Sequence, residues 1–172
     1  MADQPADTFQ TFDADSLATL ARLIAGHRQA VLATLDAGAP YTAMVAYVPE
    51  RGFAGLLIHL SDLSAHKRHL RADPRASLII FEPDNGRTEI LQHARVSLGC
   101  TTEIIPKDTD AYTAAKDHYL ARFPSHKLMF TLKRYFRGFL GVIVQRLGRG
   151  RCRWSRKGRG GAESRSARAR AA

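Results

Sequence analysis

The sequence predicts a mainly β fold, a largely antiparallel barrel or sandwich with a few helices at its sides. Two observations lead to this prediction. The apolar segments are short, and clusters of Gly, Pro and Asp separate them. Few segments carry apolar residues at helical spacing. With 172 residues, of which 45% are hydrophobic, the chain is long enough to bury one sizeable core and too short for two independent ones.

Strands are predicted where apolar residues run between turn signals. The clusters at 36–40 and 49–52 separate the first three strands, and the first two strands form a hairpin. The fifth strand is long and is expected to bend at Gly99. The apolar patterns at 130–132 and 139–144 are the weakest. The predicted strands are 30–35, 41–48, 56–60, 76–81, 94–105, 130–132 and 139–144.

Helices are predicted from capping residues and stop signals. Asp13 or Asp15 caps the first helix, and Gly26 ends it. Asp108 or Thr109 caps the last one. The three helices are predicted around Leu17, Leu20, Leu23 and Ile24, over 65–71, and over 108–123.

The charge distribution divides the chain into three parts. The segment after Leu132 holds 13 basic residues and one acidic residue, whereas the preceding 132 residues carry a balance of −2. Residues 1–15 are predicted to be a flexible acidic leader and 16–147 the folded domain. Residues 148–172 contain few large apolar side chains and are predicted to be a disordered basic tail.

Composition excludes several classes of protein. No apolar run approaches the roughly 18 residues of a membrane span. The first 15 residues hold four Asp and no Lys or Arg, which is unlike a signal peptide. Two cysteines, Cys100 and Cys152, cannot form a disulfide framework or a multi-cysteine metal site. We therefore expect a soluble cytoplasmic protein with no membrane partner.

The most informative segment is 59–78, where a strand runs into the start of a helix. Backbone N–H groups at a helix start favour an anion. Ser61 and Ser64 can donate hydrogen bonds to phosphate oxygens, and Lys67 and Arg68 can supply positive charge. An ordinary capped surface helix explains the same pattern, and composition alone favours that reading.

The order of residues in this segment resembles one known family. The run Ser-Asp-Leu-Ser-x-His from Ser61, followed by Leu-Arg-Ala-Asp-Pro-Arg-x-Ser-Leu from Leu70, is similar to the flavin-binding region of the pyridoxamine 5'-phosphate oxidase-like split-barrel family. The short branch related to heme-utilisation flavoproteins is most similar. The flanking segments 30–35, 38–41 and 93–98 agree, so that the likeness covers about residues 17–132.

This resemblance implies a six-stranded antiparallel split barrel that forms a homodimer and binds FMN in a groove at the dimer interface. Backbone groups of the second strand would run beside the isoalloxazine ring, and the phosphate would lie near the helix start. Arg95 falls where the oxidases place a flavin-contacting glutamine. The resemblance assigns no catalytic residue. The implied cofactor-binding residues are Ala43, Met44, Val45, His59, Leu60, Ser61, Ser64, His66, Lys67 and Arg95.

The chain also departs from the oxidases. Their second strand carries an arginine and a lysine that hold phosphate, and Ala43 and Val48 stand at those positions. Pyridoxamine phosphate oxidation is therefore not expected. The function that the resemblance implies is FMN binding by a flavin-dependent oxidoreductase of unknown substrate. The alternative is a non-catalytic flavin- or heme-binding protein.

The C-terminal segment leaves two further alternatives open. The relatives continue with strand-forming sequence, whereas this chain changes to Arg, Gly, Ser and Ala after Gly148, so its final barrel strand is doubtful. An out-of-frame reading of a GC-rich gene produces such a change. Alternatively, the Arg-Gly segments with Trp154 form a nucleic-acid-binding tail.

Histidines raise the question of a metal site. His66 and His69 lie three residues apart on one helix face, which is a spacing that can ligate zinc. No nearby cysteine or carboxylate completes a ligand set, because Asp62 and Asp73 are explained as cap and turn residues. No metal site is predicted.

Overall fold

The structure, a computed structural model, describes residues 14–61, 63–131, 139–146, 151–158 and 161–168, with side chains described as far as Phe130. Within these residues no helix is both long and apolar enough to cross a bilayer. Asp13, in the predicted leader, lies outside the described residues. The helices are α1 (Ala14–Gly26), α2 (Ala65–Ala72), α3 (Asp110–Arg122) and α4 (Lys127–Thr131). The strands are β1 (Gln29–Asp36), β2 (Ala39–Pro49), β3 (Gly55–Ser61), β4 (Arg75–Phe81), β5 (Arg95–Thr101), β6 (Glu103–Ile104), β7 (Phe139–Arg146), β8 (Arg151–Gly158) and β9 (Gly161–Arg168).

The strands form a mainly antiparallel sheet in the order β6-β7-β3-β2-β1-β4-β5-β8-β9. The predicted β-rich split barrel with flanking helices is thereby confirmed. Its first hairpin closes through Ala37 and Gly38, whose φ values are 48° and 91°. Positive φ at both central residues is the signature of a type I′ two-residue hairpin turn. Asp36 then pairs with Ala39 directly across the turn.

Strand β2 belongs to both halves of the sheet. Its first part pairs with β1, from Ala39 opposite Asp36 to Ala46 opposite Gln29. Its pairing with β3 covers only Tyr47, Val48 and Pro49. The pairing of β2 therefore changes along its length: its first part pairs with β1, and only its end pairs with β3. Along the first part of β2, the strands β2 and β3 are not paired with each other.

Side chains alternate across the sheet and build two cores. The inner face packs one cluster, which α1 and α2 help to close with Leu23, Ile24 and Leu70. The outer face of β2 and β3 carries a second cluster, in which Val48 and Leu57 pack against α3. The strand residues of the inner cluster are Ala30, Leu32, Val45, Tyr47, Leu56, Ile58, Leu60, Leu78, Ile80, Val96 and Leu98.

The end of α1 is held by side chains from two other elements. The last carbonyls of a helix have no partner inside it. Tyr47 Oη on β2 donates to the Ile24 carbonyl at 2.7 Å. Arg122 at the end of α3 donates to the carbonyls of Ala25 at 2.7 Å and His27 at 2.6 Å. Burial raises the pKa of Tyr47 to about 12, against a smaller lowering by Arg122. These bonds join α1, β2 and α3.

Two predicted strands differ from the structure. The prediction at 130–132 is wrong for its described part, because Phe130 and Thr131 belong to α4 and Phe130 packs in the second cluster. The predicted long strand 94–105 is interrupted at Thr102 and not at Gly99, which stays paired with Ser77. The Thr102 backbone N–H donates to the Pro74 carbonyl at 2.8 Å, and its hydroxyl donates to the same oxygen at 3.1 Å.

The C-terminal segment also differs from expectation. The weak pattern at 139–144 is a strand, β7, which pairs with β3 and β6. Residues 151–158 and 161–168, expected to be disordered, pair with each other, and β8 also pairs with β5. Main-chain hydrogen bonds alone can form such a ladder, and hydrophobicity does not report them. The domain boundary at residue 147 stays a prediction.

Replacing Tyr47 by Phe tests the junction at the end of α1. The variant keeps the buried ring but leaves the Ile24 carbonyl without its donor, and we expect the free energy of unfolding to fall by about 1 kcal/mol. Urea denaturation measures this change. Tyr41→Phe, at a position 39% exposed, serves as the control. Equal unfolding free energies for the wild type and Tyr47→Phe would contradict the assignment.

Candidate functional site

The separation of β2 from β3 creates an opening between two strand edges. The pairing of these strands begins at Tyr47 opposite Ile58. Continued in the same register, it would set Val45 opposite Leu60 and Met44 opposite Ser61. Within the described sheet this stretch of β2 is paired only on its β1 side, and residues 59–61 of β3 only on their β7 side. Seven of the ten predicted cofactor-binding residues therefore lie in or next to this opening, counting Ser64 in the adjoining turn.

The side chains along the two edges point away from the opening, to the two faces of the sheet. On β2, Val45 is buried in the inner core, whereas Met44 is 69% exposed on the outer face. On β3, Leu60 is buried in the inner core. Alternation along a strand produces this arrangement. The strands therefore offer backbone N–H and C=O groups to the opening.

The His59 ring packs among aromatic side chains on the outer face. Its centroid lies 4.4 Å from the ring of Phe130 and 5.8 Å from that of Tyr119. The Tyr119 hydroxyl lies 3.1 Å from His126 Nδ1, and burial raises the pKa of Tyr119 to about 12. The predicted contact of His59 with a flavin ring is therefore confined to its backbone in this arrangement.

A short turn joins β3 to α2 and engages both predicted serines. The Ser64 hydroxyl donates to the Ser61 carbonyl at 2.6 Å, and the Ser61 hydroxyl accepts from the Leu63 N–H at 3.2 Å. Ser64 is the N-cap residue of α2, but its side chain makes no capping bond. In this conformation the only proton of the Ser64 hydroxyl is used by the Ser61 carbonyl, so that donation from Ser64 to a phosphate stays a prediction. Ser61 keeps its proton for an acceptor.

The first turn of α2 carries a buried cation. Lys67 is 1% exposed, while its neighbour Arg68 is exposed. His66 is half-buried, and its pKa is lowered from 6.5 by burial and, to a smaller extent, by the nearby His69. Of the two cations singled out in the sequence, Lys67 is the one that the fold encloses.

A polar contact between α2 and the β1–β2 hairpin was not predicted from the sequence. His69 is 5% exposed, and its Nδ1 lies 3.1 Å from the hydroxyl of Thr34 on β1. Its Nε2 lies 3.4 Å from a carboxylate oxygen of Asp36. Thr34 and Asp36 share a face of β1 at the strand period of two, a signal that could have identified them. Within the described residues no three His, Cys, Asp or Glu side chains are grouped to hold a metal ion.

Of the ten predicted residues, Arg95 alone lies neither along the opening nor in the turn and helix that follow it. It lies on β5, and β1 and β4 separate that strand from β2. At about 4.8 Å per strand, this puts it about 14 Å away across the sheet. Its guanidinium donates to the Leu91 carbonyl at 3.1 Å.

The outer face beside the opening is apolar. Met44, Val31 and Ile79 are neighbours in one row across β2, β1 and β4. Phe81, two residues beyond Ile79 on the same face, is 47% exposed. Groups of exposed apolar side chains are a common feature of interaction surfaces.

A separate cavity of about 700 Å³ lies between α3 and the connection from β2 to β3. Its walls are mostly small or apolar, and its rim holds both acidic and basic groups. None of the predicted cofactor-binding residues lines it. The lining residues are Glu50, Arg51, Ala54, Leu57, Glu103, Ile105, Pro106, Ala111, Ala114, Ala115 and His118.

Solved structures with the same fold include proteins named for heme and for flavin. The heme storage protein HutZ of Vibrio cholerae superposes with a TM-score of 0.64 at 16% identity, over 75% of this chain and 87% of that one. A FAD-binding protein of Mesorhizobium loti gives 0.58 at 21% identity, over 76% and 85%. A heme-binding protein of Mycobacterium smegmatis gives 0.67 at 31% identity, over 89% of this chain but 59% of that one.

Sequence comparison gives the family. No curated protein matches the chain. The profile described as pyridoxamine 5'-phosphate oxidase matches residues 17–136, which agrees with the extent of the resemblance seen in the sequence. This range contains the opening between β2 and β3, the turn that follows it, and α2. The chain belongs to the pyridoxamine 5'-phosphate oxidase family.

Proposed function

We propose that this protein binds FMN in the opening between β2 and β3, with the phosphate at the start of α2. The observation that carries the proposal is the end of strand pairing at Tyr47, which leaves residues 43–45 of β2 and 59–61 of β3 unpaired with each other in the described sheet. A flavin ring is planar and carries hydrogen-bonding groups along its rim. Strand edges can match such groups without help from side chains.

The start of α2 supplies what a phosphate requires. A helix N-terminus attracts negative charge through its free N–H groups and its dipole. Lys67 adds a cation in an enclosed position, where charge interactions are screened less than at the surface. The side chain of Ser61 keeps a proton to donate. These features fit a phosphate monoester, and they support FMN over an unphosphorylated flavin.

The proposed activity is that of a flavin-dependent oxidoreductase. The flavin supplies the redox chemistry when bound, and the protein supplies its binding and orientation. The backbone edges orient the ring, and the first turn of α2 holds the phosphate. No side chain at the opening is assigned as a proton donor, and the substrate stays unassigned. The FAD-binding relative supports a flavin in this fold.

We propose further that the protein acts as a homodimer formed through the outer face beside the opening. Met44 is 69% exposed and Phe81 is 47% exposed, and both lie with Val31 and Ile79 on that face. Burying these side chains against a second copy removes apolar surface from water. The interface would then border the proposed flavin site.

Heme binding without catalysis is the second candidate function. The names of the relatives from Vibrio cholerae and Mycobacterium smegmatis favour it. His59 and His66, both partly buried, lie on either side of the turn that joins β3 to α2 and are residues of a type that ligates heme iron. Nucleic-acid binding through residues 133–172 and a cytoplasmic location stay predictions.

An absorption spectrum and a flavin titration test the proposed function. We expect the protein purified without added cofactor to show a flavin spectrum, or to quench FMN fluorescence saturably at one site per chain. An intense heme absorption band with no FMN binding would favour the second candidate. The absence of both the flavin signal and the heme band would contradict both candidate functions.

Replacing Lys67 by Met tests the phosphate contact. Met keeps much of the side-chain volume and removes the charge, and a charge-assisted hydrogen bond contributes about 1.5–3 kcal/mol. We therefore expect the dissociation constant for FMN to rise about 10-fold to 100-fold, as measured by fluorescence titration. Arg68→Met removes an exposed charge from the adjacent residue and should change the dissociation constant for FMN little. Equal losses in both variants would contradict a specific role for Lys67.

Replacing Met44 by Asp tests the dimer. A carboxylate on the outer face would have to be desolvated in the interface, so we expect the variant to be monomeric by size-exclusion chromatography with light scattering. Leu17→Asp places the same charge on α1, at a position 50% exposed, as the control. A wild-type monomer, or a dimer unaffected by Met44→Asp, would refute the proposed interface.

A further inference from the structure

The side chain of His69, on α2, is held by three residues of the β1–β2 hairpin. Its Nδ1 lies 3.1 Å from Thr34 Oγ1, and its Nε2 lies 3.4 Å from Asp36 Oδ2. The edge of its ring meets that of Tyr41, with centroids 4.9 Å apart and planes at 83°. Thr34 and Tyr41 are cross-strand partners, and Asp36 lies two residues further along the same face of β1. The imidazole thus contacts both strands near the hairpin turn.

These contacts fix the orientation of the His69 ring as well as its position. A carboxylate only accepts hydrogen bonds, so the contact with Asp36 favours a hydrogen on the nitrogen that faces it. The Thr34 hydroxyl can donate to or accept from the other nitrogen. Thr34 is itself 3% exposed, so that its hydroxyl has little access to water. His69 and Thr34 therefore satisfy each other in a buried position, where losing either partner is costly.

Such directional contacts distinguish His69 from the other anchor of α2. Leu70 is also buried, but apolar packing is non-directional and allows a helix to rotate or slide. The Ser61–Ser64 bond holds only the beginning of the helix. His69 lies two residues from Lys67, and α2 has eight residues, or about 12 Å at 1.5 Å per residue. A rotation at His69 would therefore move Lys67 directly.

We propose that His69 is a positioning residue that sets the selectivity of the site for a phosphorylated flavin. It holds α2 on the β1–β2 hairpin so that Lys67 and the first turn of α2 meet the phosphate. This proposal rests on the proposed function, since it concerns the same site. His69 does not touch the flavin, so its loss should weaken the phosphate contact and leave the ring contact unchanged.

The contacts of His69 differ in strength, which predicts an order of effects. Asp36 is 67% exposed, so water screens its interaction with the imidazole. The buried bond to Thr34 should matter more. We expect His69→Ala to lower the preference for FMN over riboflavin most, Thr34→Val to lower it less, and Asp36→Asn to lower it least. His69→Asn should restore part of the selectivity, because its amide reaches Thr34.

The experiment measures the dissociation constants of FMN and of riboflavin for each variant by fluorescence titration. The two ligands differ only in the phosphate, so their ratio isolates the phosphate end of the site. We expect the wild type to favour FMN and His69→Ala to lower that preference about fivefold or more, with riboflavin affinity unchanged. His93→Ala removes a similarly buried imidazole, 7% exposed, outside α2, and should leave the ratio unchanged.

The outcomes separate this proposal from the proposed function. A wild type that binds neither flavin refutes the proposed function. A wild type that favours FMN, together with His69→Ala at an unchanged ratio, overturns the proposal for His69. Equal loss of both ligands would assign His69 a general structural role and also overturn it. If His69→Ala does not fold, two milder variants decide the question. Thr34→Val removes only the hydroxyl contact and should lower the preference for FMN, whereas His69→Asn keeps that contact and should retain part of the preference.

Discussion

The change of partner along β2 is the constraint on which the rest of this structure depends. The strand pairs with β1 as far as Ala46 and with β3 only from Tyr47 onward. A single continuous sheet would bond both edges of β2 throughout and leave no opening. Because the two halves diverge here, both can curve around the inner core that they share, and backbone groups of both strands remain turned toward the gap.

Packing on both faces maintains this divergence. The inner core fixes Val45 and Leu60, the residues on either side of the opening, by burying their side chains. On the outer face α3 and α4 cover the paired part, where Val48 and Leu57 lie under Tyr119 and Phe130. The cover does not extend to Met44. The opening thus lies where the inner core continues and the helical cover ends.

Side-chain patterning predicted most of the elements, because it reports burial. The strand from Gln29 and the strand from Gly55 follow short apolar runs bounded by turn residues, and α3 begins at the predicted cap Thr109, whose hydroxyl accepts from the Tyr112 N–H. Patterning failed where polar contacts determine the end of a strand. Thr102 interrupts a strand through its bonds to Pro74, and no periodicity signals that choice.

The candidate site was predictable in part. Resemblance selected residues that the structure groups along β2, β3 and the start of α2, since a family motif records chain order; their contact with a flavin stays a prediction. It could not tell that the Ser64 proton is used by Ser61, nor that the His59 ring packs against Phe130, because both depend on the three-dimensional arrangement. His69 was seen as a partner for His66. Its contacts with Thr34 and Asp36 join segments more than 30 residues apart in the chain.

Amide hydrogen exchange with and without FMN tests the central claim most directly. The account predicts that FMN slows exchange at residues 43–45, at 59–61 and in the first turn of α2. Protection confined to the cavity beside α3, around Ala111 and Ala114, would contradict it and place the ligand elsewhere.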